Sequence, residues 1–160
     1  MLFLVFLVTA LAGTGLHFLY DLIPTPLTAL ISPINESVWE HLKLPLWPML
    51  VGAVVLSRKK ENKERFWSSF YIALLATPVF LLLSYYGLKA VGIESTAVDI
   101  ILYYISMFFG YYLARWLYNK KKPEKVGGVA LMLLILYGAS LILFTFAAPD
   151  LPIFREVPLK

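Results

Sequence analysis

The chain has 160 residues, of which 60% are hydrophobic and only 15% are charged. Soluble domains are nearer half apolar and a quarter charged, so this composition excludes an ordinary soluble protein and predicts an integral membrane protein. The formal charge of +4 does not indicate nucleic-acid binding, because nine of the fourteen Lys and Arg residues lie in two short gaps between apolar segments, 58–65 and 120–125. The absence of cysteine excludes disulfide and thiolate chemistry.

Five apolar segments follow one another along the chain, at about 1–20, 33–57, 66–88, 97–118 and 126–147. Each is long enough to cross a bilayer as a helix. The first segment has no basic residues before its apolar run and stays apolar past its small residues, so we interpret it as a retained helix rather than a signal peptide. We therefore predict an all-α integral membrane bundle of about five transmembrane helices, forming one domain over 1–160.

The two lysine-rich gaps predict the orientation of this bundle. Basic loops tend to remain in the cytoplasm, which places the N-terminus inside and the C-terminus outside. The linker 21–32, which contains no Lys or Arg, and the Pro-rich tail 149–160 then lie on the extracytoplasmic side. The linker is long enough to be either re-entrant or interfacial. The expected location is the cell membrane, with the lipid bilayer as the surrounding partner.

The stretch Ser32–Pro45 brings acids, a histidine, an amide and a lysine together between apolar segments. Ser32 followed by proline predicts the start of the second helix, since serine is a good N-cap and proline fits the first helical position. Pro45 lacks the N–H that would bond to the carbonyl of His41, which predicts a kink there. Glu36 and Glu40 are four residues apart and would share one helix face.

The predicted topology gathers polar residues from several helices on the outer side. Ionisable groups at membrane depth cost about 2.5–3.5 kcal/mol each, so they persist mainly where they pair or have a function. We therefore expect an outward-facing polar pocket. Its expected metal ligands are His17, Asp21 and His41, its catalytic residues are Glu36 and Glu40, and its ligand-binding residues are Asn35, Ser37, Trp39, Lys43, Asp99, Tyr103 and Arg155.

The run from Asn35 to Lys43, which reads N-E-S-V-W-E-H-L-K, is the most distinctive motif of the chain. Together with His17 upstream and the Pro-rich tail, it resembles a family of small multi-pass prokaryotic membrane proteins of unknown function marked by an N-E-S-x-W-E-H-x-K signature. The resemblance covers mostly the first fifty residues. It implies a site in this stretch, and it implies no particular substrate or reaction.

Three classes of function fit these residues. The first is a metal-dependent hydrolase or transferase acting on a lipid or small amphiphile, because the imidazoles and carboxylates are ligands that zinc takes and a spare acid could activate bound water. The second is a proton- or cation-coupled small carrier using Glu36, Glu40 and Asp99, which would need a homodimer because the chain is short and lacks an inverted repeat. The third is a non-catalytic membrane protein that binds a lipid or a partner.

The tail has its own expected role. It is too rich in proline for a helix, and its apolar side chains would gain by burial. We expect it to fold back over the outer mouth of the bundle as a lid, with Phe154 inserted and Arg155 paired to an acid of the first or second helix. A guanidinium suits such a pairing because its donors match a carboxylate.

Overall fold

The computed structural model describes residues 1–120 and 122–156. Lys121 of the second basic loop and residues 157–160 of the predicted tail lie outside the described residues. Within the described part the chain is helical and contains no β-strand, as the predicted all-α class requires. The helices are α1 (Leu2–His17), α2 (Leu19–Leu22), α3 (Pro26–Ala29), α4 (Val38–His41), α5 (Lys43–Ser57), α6 (Lys63–Ala90), α7 (Thr96–Lys120) and α8 (Gly127–Phe146), with 3₁₀ turns at Pro123–Val126 and Pro152–Phe154.

Three helical stretches among the described residues are long and apolar enough to cross a membrane: Lys63–Ala90, Thr96–Asn119 and Pro123–Phe146. They correspond to the last three predicted spans, and they support a membrane protein. The first two predicted spans are built differently. α1 is apolar but has only 16 residues, and a break follows it at Phe18. α5 has 15 residues, and a break precedes it at Leu42.

A serine side chain from the linker accounts for the break between α1 and α2. The Ser32 hydroxyl accepts a hydrogen bond from the backbone N–H of Tyr20 at 3.1 Å and donates one to the carbonyl of Leu16 at 2.6 Å. In an uninterrupted helix these two backbone groups, four residues apart, would bond to each other. The hydroxyl therefore replaces a hydrogen bond of the helix, and α1 ends at His17.

The predicted start of the second helix at Ser32 is wrong. That helix begins at Val38, and its N-cap is Ser37, whose hydroxyl accepts a hydrogen bond from the backbone N–H of Glu40 at 3.3 Å. The Ser32 hydroxyl is already bonded to the first helix, so it does not cap the second. Residues 33–37 consequently form turns rather than helix.

The interruption predicted at Pro45 is present. α4 ends at His41, Leu42 lies in a turn, and α5 begins at the next residue. Pro45 is the third residue of α5 and has no N–H for the carbonyl of His41, so the two helices cannot join into one regular ladder. The carbonyl of Leu42, the residue between the two helices, accepts a hydrogen bond from the Tyr137 hydroxyl at 3.4 Å.

The two basic segments lie together at one end of the bundle. Arg65, at the start of α6, donates to Oε1 of Glu124 from Nε at 3.0 Å and from Nη2 at 2.9 Å. Lys60 lies 4.5 Å from the centre of the Tyr118 ring, which is near the end of α7. α6 has 28 residues and is about 42 Å long at ~1.5 Å per residue, so its other end is far from this basic surface.

One face of α7 carries small and polar residues that pack against protein. Ser106 is fully buried, and Gly110 is packed closely by Thr77 and Met49. One position further along, the buried Tyr111 shares a hydrogen bond of 2.9 Å with the hydroxyl of Thr9 in α1. These contacts fix α7 against α1, α5 and α6, and they place the N-terminal end of α7 beside the end of α1.

Candidate functional site

Three side chains that can bind a metal ion meet where the end of α1 approaches the start of α4. Nε2 of His41 lies 3.4 Å from Oε2 of Glu36, and Nε2 of His17 lies 4.0 Å from Oε1 of the same carboxylate. One ligand atom from each residue lies within 4.8 Å of the other two, and the imidazole ring centres are 5.0 Å apart. Two imidazoles with one carboxylate form a ligand set that zinc and other divalent metals take.

The orientation of His41 is fixed by its own helix. Its Nδ1 lies 2.8 Å from the carbonyl oxygen of Ser37. A carbonyl can only accept, so Nδ1 carries the hydrogen and donates it. In the neutral ring this leaves the lone pair on Nε2, the atom that faces Glu36. Metal-binding histidines in proteins are usually held in this way by a hydrogen bond from the other ring nitrogen.

His17 presents its ring from the opposite side. It is the last residue of α1, at the break that Ser32 creates, and its side chain is 30% exposed. Its Nδ1 is buried and has no hydrogen-bond partner among the described residues. Buried polar atoms are normally satisfied, so this nitrogen has capacity for a water molecule or a ligand.

A cavity of about 440 Å³ opens beside these three residues. His17, Glu36 and His41 form part of its wall, while the end of α6, the start of α7 and the loop between them form the rest. A mostly apolar cavity of this size with a few polar groups is typical of sites for small molecules. Its apolar lining residues are Val38, Leu44, Leu81, Ile93, Ile100 and Leu102, and its polar ones outside the metal-ligand set are Thr14, Tyr85, Lys89, Glu94, Ser95, Thr96, Asp99 and Tyr103.

The structure brings together some of the predicted site residues. His17 and His41, two predicted metal ligands, and Glu36, a predicted catalytic acid, form the cluster. Asp99 and Tyr103, two of the predicted ligand-binding residues, line the adjoining cavity. The hydroxyl of Tyr103 donates to the carbonyl of Ala10 at 3.0 Å, which also ties α7 to α1.

Asp21 is not part of the cluster. Asp21 and His17 would share one face of a continuous helix, since they are four residues apart. The break at Phe18 redirects the chain into α2, and Asp21 is exposed outside the cavity. The carboxylate that lies beside the two imidazoles is therefore that of Glu36 rather than that of Asp21.

Glu40 lies apart from the cavity and is 2% exposed. Its Oε2 accepts hydrogen bonds from Nζ of Lys43 at 2.5 Å and from the backbone N–H of Ile34 at 3.0 Å. Its Oε1 accepts one from the hydroxyl of Thr145 in α8 at 3.0 Å. Both carboxylate oxygens are thus bonded within the protein, an arrangement that favours a structural role over the predicted catalytic one.

Lys43 attaches the linker to α5. Its ammonium, fully buried, donates to the carbonyls of Ala29 at 2.8 Å and Ser32 at 3.4 Å besides pairing with Glu40. The indole N–H of Trp47 donates to the carbonyl of Leu30 at 3.1 Å. These bonds hold the linker in the position from which Ser32 interrupts the first helix, so Lys43 supports the site indirectly and is not among the residues that line the cavity.

The remaining predicted ligand-binding residues of this stretch also lie outside the cavity. Oδ1 of Asn35 accepts a hydrogen bond from the backbone N–H of Ser37 at 3.0 Å, which closes a turn before α4. Trp39 contacts the tail and α8: its ring centre lies 4.9 Å from that of Phe154 in the tail and 5.7 Å from that of Phe144 in α8. Asn35 and Trp39 therefore contact the turn and the tail, beside Glu36, rather than the cavity.

The tail folds back, but it does not cover the cavity. Phe154 is inserted against Trp39 and Phe144, as expected, yet none of the described tail residues lines the cavity. The prediction that Arg155 pairs with an acid of the first or second helix is wrong. Arg155 donates to Oδ1 of Asp150 at 2.9 Å and 3.1 Å, and both side chains are exposed, because the tail packs on the α8 side of the turn.

Comparison with known protein families shows which family the chain belongs to. It matches DUF6512, a family of unknown function, over residues 2–158. The chain belongs to this family. No curated protein and no solved structure matched it. The expected relation to a family of unknown function is confirmed, whereas the signature string and the prokaryotic distribution stay predictions.

Sequence reasoning missed the roles of two residues of this DUF6512 protein, Ser32 at the break beside His17 and Thr145 at the buried carboxylate of Glu40. Ser32 was expected to cap a helix, and its insertion into α1 could not be anticipated from local pattern. Thr145 lies in an apolar helix, 105 residues from the carboxylate that it contacts. A hydroxyl in such a helix usually bonds to its own backbone, and Thr145 also does so, to Leu141 at 2.8 Å.

Proposed function

We propose that this protein is a multi-pass membrane enzyme that uses a divalent metal ion, with Zn²⁺ as the first candidate, to hydrolyse or transfer a group of a lipid or small amphiphile. The observation that supports this most directly is the convergence of ligand atoms from His17, Glu36 and His41 within 4.8 Å beside a cavity of about 440 Å³. Zinc enzymes commonly use three protein ligands and keep a fourth position for water.

In this proposal the bundle crosses the membrane five times. α6, α7 and α8 cross as continuous helices, while α1 with α2, and α4 with α5, cross as broken ones. Broken helices are tolerated at membrane depth where neighbouring side chains satisfy the freed backbone groups, as Ser32 does for Leu16 and Tyr20. α4 and α5 together cover 38–57, about 30 Å at ~1.5 Å per residue.

The proposed orientation places the cavity on the outer side. The start of α6 belongs to the basic surface, where Arg65 pairs with Glu124, and the opposite end of α6 lines the cavity. If the basic surface is cytoplasmic, the cavity is extracytoplasmic, the N-terminus is inside and the described tail is outside. The linker 21–32 then lies at the outer interface.

The proposed chemistry assigns a role to each group. His17, Glu36 and His41 hold the metal, which would lower the pKa of a bound water to about 7 and polarise the bond to be cleaved. Asp99 lines the same cavity and is the candidate acid–base residue. Val38, Ile93 and Ile100 provide apolar surface for the hydrocarbon part of an amphiphile. Glu40 has no chemical role in this proposal, because its oxygens are bonded elsewhere.

Metal binding is the first test. Protein purified in detergent is stripped with a chelator, and zinc and other divalent metals are titrated back, with bound metal measured by plasma mass spectrometry. We expect one ion per chain. Since loss of a supporting hydrogen bond already costs about 10–100-fold in metal affinity, His17→Ala and His41→Ala should each cost more than that. Asp21→Ala is the matched control, because Asp21 is exposed and outside the cluster, and it should bind as wild type.

Turnover of amphiphilic esters and amides is then measured with metal-loaded protein. Asp99→Asn should keep the metal and lose most of the activity, which separates the acid–base role from metal binding. A wild-type protein that binds no divalent metal, or an Asp21→Ala variant that loses metal as fully as His41→Ala, would contradict the proposed site.

A further inference from the structure

The turn that presents two of the three ligand residues is held by short-range hydrogen bonds that converge on Ser37. The Ser37 backbone N–H donates to Asn35, and its hydroxyl accepts from the backbone N–H of Glu40. Its carbonyl accepts from both the backbone N–H of His41 at 3.3 Å and Nδ1 of the same residue at 2.8 Å. Ser37 therefore orients the imidazole of His41, and it directly follows Glu36 in the chain.

The tail packs on this same turn, and none of its described residues lines the cavity. Glu156 forms an isolated antiparallel bridge with Ser37. Two residues earlier, the Phe154 ring lies between Trp39 and Phe144, with ring centres at 4.9 Å and 5.4 Å. Trp39 belongs to α4 and Phe144 to α8, so Phe154 joins the turn to the last helix of the bundle.

We propose that residues 151–156 act as a strap that fixes the turn Asn35–His41, and that Phe154 is a positioning residue for Glu36 and His41. This inference rests on the proposed function for its link to metal binding. The turn needs external support because residues 33–37 are not helical and α4 has only four residues. Aromatic pairs stabilise by more than the apolar area they bury, so Phe154 is the strongest contact the strap offers.

In this proposal the tail acts on the turn and not as a cover of the cavity, since none of its described residues lines the cavity. A lid would change access to the cavity and leave the metal ligands in place. A strap does the reverse: without it the cavity stays open, while the distance between Glu36 and His41 is no longer fixed. The two roles are separable by experiment. Loss of a strap would loosen the turn Asn35–His41 even in the metal-free protein, whereas loss of a lid would not.

Hydrogen exchange measured by mass spectrometry tests the strap without metal. In metal-stripped protein, Phe154→Ala should speed exchange of the segment 35–42 by about tenfold, the change expected when a local stabilising contact is lost, and leave α6 and α7 unchanged. Leu151→Ala is the matched control, because Leu151 is in the same strap but 53% exposed. Phe154→Tyr, which keeps the ring, should restore the wild-type exchange.

Zinc titration of the same variants links the strap to the site. Phe154→Ala should bind zinc about 10–100-fold more weakly than wild type, as for loss of a group that orients a ligand, and Leu151→Ala should not. Unchanged exchange at 35–42 in Phe154→Ala, or faster exchange spread evenly over the whole bundle, overturns the strap. If wild type binds no metal while Phe154→Ala still speeds exchange at 35–42 alone, the strap stands and the proposed function falls.

Discussion

Two glutamates four residues apart in the sequence, Glu36 and Glu40, differ in what surrounds them. The Glu36 side chain is 37% exposed and faces two imidazoles at the cavity wall. Glu40 is 2% exposed and is bonded to a lysine, a backbone amide and a threonine. A carboxylate whose oxygens are all bonded to protein donors has little capacity to bind a metal or accept a proton. The surroundings therefore favour a chemical role for Glu36 and a structural one for Glu40.

Removing the cation of the buried pair should expose this structural role. Lys43→Met leaves the Glu40 carboxylate buried without a counter-charge, and breaking such pairs costs about 3–5 kcal/mol. We expect that loss in the free energy of unfolding, measured in detergent. Lys89→Met, at an exposed lysine, is the control and should change stability little. The double variant Lys43→Met/Glu40→Gln should recover part of the loss, and a single variant as stable as the control would argue against a buried ion pair.

At the scale of the helix, the break between α1 and α2 is the feature that makes the site. It ends α1 at His17 and sends Asp21 away from the cluster. The hydroxyl responsible comes from the linker, which Lys43 and Trp47 hold in place. The shape of the first helix is therefore determined by residues that follow it in the chain.

Ser32→Ala should reveal this dependence. Without the hydroxyl, the Leu16 carbonyl and the Tyr20 N–H lose their partner, and an unsatisfied buried polar group costs about 1–3 kcal/mol. We expect that loss in unfolding experiments, together with weaker zinc binding because His17 is displaced. Ser140→Ala is a suitable control, since among the described residues the Ser140 hydroxyl donates to the carbonyl of Tyr137 in its own helix and to no other element. Wild-type zinc affinity in Ser32→Ala would show that the break does not position His17.

The sequence predicted the long helices well and the site only in part. The apolar run 66–88 indicated α6, which spans Lys63–Ala90, because loops rich in charge or turn residues bound it on both sides. Topology also indicated that His17 and His41 would meet. The end of α1 and the start of α4 were mispredicted because the Ser32 hydroxyl, which was expected to cap the second helix, bonds instead to the backbone of the first helix, 12 and 16 residues away. That Glu36 rather than Asp21 lies beside the two imidazoles follows from that same break.

At the scale of the whole molecule, the cavity and the basic surface lie at opposite ends of α6. Since the chain has no cysteine, single cysteines report topology without background. We expect Asp21→Cys and Leu151→Cys, both at exposed positions, to react with a membrane-impermeant thiol reagent in intact cells. Glu61→Cys, exposed in the first basic loop, should react only after the membrane is permeabilised. The reverse pattern would overturn the orientation.

The buried carboxylate has a consequence for how the chain is made. Glu40 has its cation three residues away, whereas the hydroxyl of Thr145 leaves the ribosome 105 residues later. If the segment entered the bilayer with a lone carboxylate, that carboxylate would have no partner until Thr145 was synthesised, 105 residues later. By carrying Lys43 in the same turn, the nascent segment brings its own counter-charge, and the last helix has only to complete a pair that is already formed.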